Sequence, residues 1–318
     1  MRAVIQDRYG SADIVRVGDL PKPVPADDEV LVRIRAASLN GSDRENLVGS
    51  PFYARLGGLW RPRNPVPGSD IAGVVAAVGR SVTEYASGDE VFGELAGYRG
   101  GLAEYVATAP KLLARKPPGL SFLEAAAIPQ AGCIAYRATL GVRPGDRILV
   151  NGAGGAGGAL VIGLAKHLGA SVTAVDRADK ADHLRRVGAD DTIAFEHQDW
   201  ADQRDRYDLI IDLVAHRPPY RVHRALRRGG TYLMVGGRAR VLLATLVAGP
   251  PIGWAAKKRV KVLMVPQSRA DLEAVTALVT EGAILPVIDR VHPLEEAPAA
   301  FARLAAEDHR GKLVIEVS

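Results

Sequence analysis

The 318-residue chain has a single cysteine, Cys133. That excludes an intramolecular disulfide and any cysteine-rich zinc site. Aromatic residues are scarce, at 5%. The basic runs, such as Arg227-Arg228 and Lys257-Lys258-Arg259, are short and isolated. A nucleic-acid surface needs a longer basic stripe with interleaved aromatics. The net charge of +5 therefore reads as solvated faces plus local ligand electrostatics. No uninterrupted apolar run reaches the roughly 18 residues that span a bilayer. The closest, Val241 to Ala256, is broken by Gly249-Pro250-Pro251 and Gly253. The start, Met1 to Asp7, meets an acid too early for a signal peptide. These absences predict a cytoplasmic protein with neither nucleic acid nor membrane as partner.

What is present is an ordinary globular balance, 47% hydrophobic and 24% charged, in a chain long enough for two domains. The first third reads as β-rich. Ala3 to Ile5, Glu29 to Ala36, Ile71 to Gly79 and Asp89 to Gly93 are strand candidates, separated by Pro and Gly clusters such as Asn64-Pro65-Val66-Pro67-Gly68. Short strands with that punctuation suggest a compact barrel. After Leu120 the pattern changes. Ser121 with Glu124 three residues on is a capping-box start. Strands at 147–150, 171–175, 209–212 and 231–235 then alternate with helices at 156–168, 180–187 and 221–226. Alternating β and α units imply a parallel sheet with helices on both faces. Helices at 269–281 and 298–306 follow. The last strand, Lys312 to Val317, alternates like the N-terminal ones and is assigned to the first domain. The fold class is thus α/β, with one domain over 1–122 and 287–318 and a nucleotide-binding domain over 123–286.

The strongest signal is Asn151-Gly152-Ala153-Gly154-Gly155-Ala156-Gly157-Gly158. A lone G-x-G-x-x-G is weak, but Gly152, Gly154 and Gly157 follow a strand, open a helix, and precede a second strand ending in Asp176. Gly152 permits the tight turn, Gly154 the approach of a pyrophosphate, and Gly157 close packing of helix on sheet. Gly155 and Ala156 stand at the helix N-terminus, whose free amides and dipole favour phosphate. Asp176 suits a ribose 2′-hydroxyl, which favours NADH. Arg177 and Lys180 suit a 2′-phosphate, which favours NADPH. The two sets of signals balance.

The segments Asn64 to Gly73, Pro144 to Gly155 and Gly311 to Ile315 resemble those of the medium-chain dehydrogenase/reductases, and within them the zinc-free quinone oxidoreductase and ζ-crystallin-like branch. The resemblance implies a GroES-like β-barrel, a Rossmann domain, an active-site cleft between them, and a homodimer. Zinc-dependent members carry a Cys where Asn40 stands, a His-Glu pair where Ser69-Asp70 stands, and a third ligand near Gln130. Asn, Ser and Gln do not make a catalytic zinc site, so no zinc is expected.

Without a Lewis acid, hydride transfer is easier to an acceptor that is already polarised. A hydrophobic quinone, or an alkene conjugated to a carbonyl, is the expected substrate. The resemblance puts Asn40 near the nicotinamide, although a turn-forming Asn before Gly41 explains it too. Asp43 reads equally well as a helix cap. Related reductases carry a Tyr about where Glu45 stands; Tyr53 is the nearest replacement as a proton donor. Gln130 and Cys133 are candidate cleft residues. Val214 with Ala215, and Val235-Gly236-Gly237, follow strands at the C-terminal edge of the sheet, where open α/β sheets bind ligands. Lys312 matches a family Gly-Lys near the cofactor. The apolar stretch Leu242 to Trp254 reads as a lid, a dimer contact or a buried connection. Two other readings stay open: a carbonyl or alcohol oxidoreductase of a biosynthetic pathway, and a protein that binds NAD(P)H without turnover.

Overall fold

In the computed structural model, which describes residues 1–317, five strands that precede Phe122 and two C-terminal strands, Ile288–Pro293 and Lys312–Glu316, form one seven-stranded sheet, while Arg2–Ile5 pairs with Arg16–Asp19 in a separate two-stranded one. Ser318, the end of the segment assigned to the first domain, lies outside the described residues. The long strand Val30–Leu39 is the centre of the larger sheet. Val30 to Val32 are all buried, the chain alternates between core and solvent over Val32 to Arg35, and it then stays buried to Leu39. One edge pairs antiparallel with Asp70–Val78. The other is shared: Tyr105–Thr108 takes Val30 to Arg33, and Lys312–Glu316 takes Ala36 to Leu39. The C-terminal strand therefore does return to the first domain. Ile34, Ile71, Val91, Leu113, Phe301 and Ile315 meet in one buried cluster. Each such side chain contributes about 1.5–3 kcal/mol on leaving water.

The second unit is a six-stranded sheet in which every pairing is parallel. Its order is Asp191–Ala194, Ser171–Asp176, Arg147–Asn151, Tyr207–Asp212, Leu226–Met234, Arg259–Val262. In chain order that is 3-2-1-4-5-6, the doubly wound dinucleotide-binding topology. The order reverses beside Arg147–Asn151, so a ligand crevice belongs at the C-terminal ends of that strand and of Tyr207–Asp212.

The chain divides into a unit of residues 1–133, 267–280 and 286–318 and a unit of residues 134–266 and 281–285. Helices Phe122–Ala126 and Arg269–Thr280 thus join the first unit, whereas the sequence reading gave both to the second. Gln267 explains part of this: its amide donates to the Leu95 carbonyl at 2.9 Å, and Arg269 pairs with Glu84. Ser121 does cap its helix, with the reciprocal Glu124 bond in place.

The stretch read as a broken connection is one continuous 18-residue helix, Ala239–Ala256, with Pro250 and Pro251 inside it. The two prolines deprive the carbonyls of Leu246 and Val247 of their helical donors. Both of those residues are exposed, so water can serve the carbonyls. On the other side, Gly249 and Gly253 rest against the backbone of Lys258 to Val260, where a Cβ would approach a carbonyl oxygen to within 2.9 and 2.8 Å.

The glycine turn divides its labour differently from the sequence reading. Gly152 is left-handed, at φ +80°, as a tight turn requires. The residue that lets helix Ala156–His167 pack closely is Gly158, not Gly157. A Cβ on Gly158 would lie 2.3 Å from the Ala153 carbonyl oxygen, whereas one on Gly157 would meet only Leu213, at 3.9 Å. Gly158→Ala should cost about 2 kcal/mol or more through forced overpacking. Gly157→Ala should be neutral or stabilising by up to about 1 kcal/mol. Chemical denaturation of the two variants measures this, and equal losses would refute the assignment.

Candidate active site

Register builds the first cluster. Leu313 lies opposite Leu39 and Ser38 opposite Asp70, so Lys312, Asn40 and Asp70 gather at one end of three adjacent strands. Asp70 and Lys312 are 0% and 1% exposed, and the Lys312 ammonium lies 3.1 Å from Asp70 Oδ2. Lys312 also donates to Asn40 Oδ1. Asn40 Nδ2 donates to Ser69 Oγ at 3.0 Å and to Asp70 Oδ2 at 2.9 Å. Both amide hydrogens of Asn40 are thereby spent within the protein. Its side chain can accept one more hydrogen bond but has none left to donate.

Asp43 closes the cluster from below. It lies in the first turn of helix Gly41–Val48, and its Oδ2 accepts from the Asn40 backbone N–H at 2.7 Å and from Ser69 Oγ at 3.2 Å. The helix N-cap is Asn40 and not Asp43, which reaches back to the Asn40 N–H from the third helical position. Asp43 Oδ1 is buried without a partner. Burial pushes this carboxyl up to about 7; the Asn40 N–H opposes the rise and the nearby Asp70 charge adds to it. Glu94, the last residue of strand Glu90–Glu94, accepts from Gln130 Nε2. Burial and then Asp70 raise it to about 8. Gln130 in turn accepts from Ser42 Oγ at 3.0 Å. Tyr98 is near the same acids; burial first, then the Glu94 charge, holds its phenol above the usual range. Glu94 and Tyr98 were not singled out from the sequence, and Asp70 entered it only as the residue where zinc-dependent members carry Glu. The available signal was an acid at the end of each of two strands, Asp70 opening one and Glu94 closing the other.

Tyr53 stands apart, in a 3₁₀ turn at Phe52–Arg55, half-buried and edge-on to Phe52. Burial and the Glu45 charge raise its phenol pKa, which makes it a weaker acid. Cys133 lines a water-sized void with Glu94, Pro129 and Leu272.

The second cluster belongs to the other unit. Gly152 abuts Val214, whose methyls lie about 3 Å from where a Cβ would be. Asp212 is 0% exposed. It accepts from Asn151 Nδ2 at 2.8 Å, from the Tyr232 hydroxyl at 2.8 Å and from the Val214 N–H at 3.3 Å. These bonds join the ends of three neighbouring strands at the topological switch point. Val235 N–H donates to the Asp212 carbonyl, and Ala215 N–H to that of Gly236. Gly237, at φ +133°, lies so close to Ala215 that any side chain would strike its carbonyl. Gly152, Val214, Val235, Gly236 and Gly237 thus lie together at the C-terminal edge of the sheet.

Asp176 is held three ways. Gly154 N–H donates to Oδ2 at 2.7 Å, Arg177 N–H to Oδ1 at 2.9 Å, and the Lys180 ammonium lies 3.5 Å from Oδ1. Gly154 therefore serves a carboxylate here, and a side chain on it would collide with Lys180 and Asp176. The Arg177 guanidinium is turned to Asp179. Helix Ala156–His167 begins its ladder only when Ala159 bonds Gly155. The amides of Ala156, Gly157 and Gly158 thus have no intrahelical acceptor. With the open space beside Gly157, they fit a pyrophosphate. Among the described residues no three of His, Cys, Asp and Glu gather as a metal set.

Because Asp43 and Glu94 hold protons in the folded state above the usual carboxylate range near pH 4, the native state binds more protons than the unfolded chain. Their contribution is fully present below about pH 4 and is lost as pH rises through about 7 and 8. The denaturation midpoint should therefore fall across that range. Glu94→Gln, which keeps the Gln130 contact, should flatten the upper part; an unchanged slope would show that Glu94 ionises normally.

Residues 26–118 match the alcohol dehydrogenase GroES-like domain, and residues 187–315 match the family described as zinc-binding dehydrogenase. The chain is 34% identical to 2-methylene-furan-3-one reductase of Solanum lycopersicum, over 99% of this chain and 79% of that protein. It is 32% identical to the chloroplastic NADPH-dependent alkenal/one oxidoreductase of Arabidopsis thaliana, with the same coverage. The solved quinone oxidoreductase of Coxiella burnetii superposes with a TM-score of 0.89 at 28% identity, over 100% of this chain and 99% of that one.

Proposed function

We propose, since the chain belongs to the quinone-oxidoreductase-like branch of the medium-chain dehydrogenase/reductase superfamily, that it reduces quinones or carbonyl-conjugated alkenes with NAD(P)H and without zinc. The observation that carries the metal-free part is Lys312. Its buried ammonium donates to Asn40 and pairs with Asp70, and Asn40 in turn donates to Ser69. Those are the positions where the resemblance puts zinc ligands in the metal-dependent members. Asn, Ser and a lysine already paired to the one carboxylate form a poor donor set for zinc.

When bound, the dihydronicotinamide supplies a hydride, and an enone or quinone takes it at a carbon or oxygen already polarised by conjugation. The chain's own residues bind and orient. The amides of Ala156 and Gly157 would hold the pyrophosphate. Asp212, fixed by Asn151 and Tyr232, sets the spacing of the strand ends on which Val214 and Gly236 stand. Glu94 keeps a proton on its carboxyl to about pH 8. A panel of quinones and enones, run with NADPH and NADH, should give turnover with at least one acceptor, and chelator should leave the rate unchanged. Loss of activity on chelation would rule out the metal-free reading.

Coenzyme choice rests on Asp176 and Lys180 as a pair. The carboxylate offers an acceptor to a 2′-hydroxyl, and the ammonium partly offsets its repulsion of a 2′-phosphate. Asp176→Ser removes the carboxylate that the Gly154 amide and Lys180 share. It should raise the ratio of kcat/KM for NADPH over NADH by about tenfold, about 1.4 kcal/mol. A constant ratio would remove Asp176 from the choice.

A further inference from the structure

Helix Ala239–Ala256 buries one narrow stripe, Val241, Thr245, Gly249 and Gly253. The opposite face is apolar and open to water. Leu243, Leu246, Val247 and Trp254 are exposed by 64%, 54%, 70% and 85%. Their spacing of three, four and seven residues makes one continuous face, and an exposed apolar patch of this kind marks an interaction surface.

The sequence around it is one-sided in charge, although Arg217, Arg221, Arg227, Lys258 and Arg269 pair with acids from outside this stretch. Between Asp212 and Asp271 the sequence has no Asp or Glu and twelve Lys and Arg; over the rest of the chain the acids outnumber the bases. Arg238 and Arg240 stand exposed at the start of the helix and Lys257 at its end. A depression of about 280 Å³ reaches the last helical residue, Ala256. Arg204, His223, Arg224, Arg228 and Lys258 line it, with Asp205 the single acid.

We propose that this helix docks the protein on an anionic lipid bilayer, its apolar face at the acyl boundary and its basic flanks, including the depression, on headgroup phosphates. An apolar stripe framed by bases is the make-up of a helix that lies in the membrane interface. Nucleic acid would use the charge but not the stripe. A second copy would use the stripe but would bring the same bases against each other across a two-fold axis. The buried glycine stripe keeps the helix on its sheet, so it lies on the bilayer and does not cross it. This inference concerns the surface alone and stands apart from the reaction.

The full-length protein should co-sediment with vesicles of phosphatidylcholine mixed with phosphatidylglycerol and not with phosphatidylcholine alone, and binding should weaken as salt screens the charges. Removing bases should weaken it by about fivefold per charge, so Arg224→Gln with Arg228→Gln should lose more than tenfold. Leu246→Glu with Val247→Glu should abolish it; circular dichroism checks that this exposed-site variant is folded. Three results would overturn the proposal. One is no binding to the anionic vesicles. Another is binding that the Leu246→Glu, Val247→Glu variant retains, which makes the surface a general polyanion site. The third is sedimentation velocity showing a dimer that this variant dissociates, together with no vesicle binding; a second copy then covers the face.

Discussion

The buried Lys312 ammonium and the Asp70 carboxylate organise the first unit's site. Neither could be removed alone: a charge left unpaired at that depth costs about 3–5 kcal/mol. A buried ion pair adds little net stability, because desolvation consumes most of its Coulomb energy. What it adds is position. Lys312 opens the C-terminal strand, Asp70 opens another, and Asn40 ends the strand between them. The pair therefore fixes the ends of three strands against one another. A lysine suits this better than an arginine, since a compact point charge can meet an amide oxygen and a carboxylate oxygen at once, where a planar fork needs more room.

That same charge shapes the chemistry around it. Burial first, and then the nearby Asp70 charge, keeps protons on Asp43 and Glu94 to neutral pH or above. The cluster thus holds one buried ion pair and two carboxyls whose pKa values are raised to about 7 and about 8. In the second unit the corresponding economy falls on backbone amides. Gly154 gives its N–H to Asp176, and the next residues keep theirs for an anion. A turn of small residues is needed for both tasks, because any side chain at Gly154 would displace the Asp176 and Lys180 pair.

Much of this was legible in the sequence where a local rule has a sharp pattern. The strand before Gly152, the helix after it and the strand ending at Asp176 follow from hydrophobic period and glycine spacing. The return of the C-terminal strand to the first domain followed from its alternation. Contacts set by register between distant strands were not legible. Nothing local in Ser69-Asp70-Ile71 says that Asp70 faces Lys312, 242 residues later. The exchange of roles between Gly157 and Gly158 was hidden for the same reason: adjacent glycines look alike until helix azimuth decides which one faces the Ala153 carbonyl. The helix over Ala239–Ala256 was missed because two prolines ordinarily end a helix. Here the carbonyls they orphan face water and the glycines beside them gain close backbone packing.

Counting apolar residues in a row asks whether a helix can cross a bilayer, and it says nothing of a helix that lies on one. For that, the relevant quantities are which face is buried and where the charges fall. Ala239–Ala256 buries small residues and presents large ones, the reverse of a helix that completes a core. The bases around it have no acids near them in the sequence to balance, although the chain elsewhere has acid to spare. Neither feature serves the sheet beneath, whose core is already filled by Tyr232, Ile210 and Leu149.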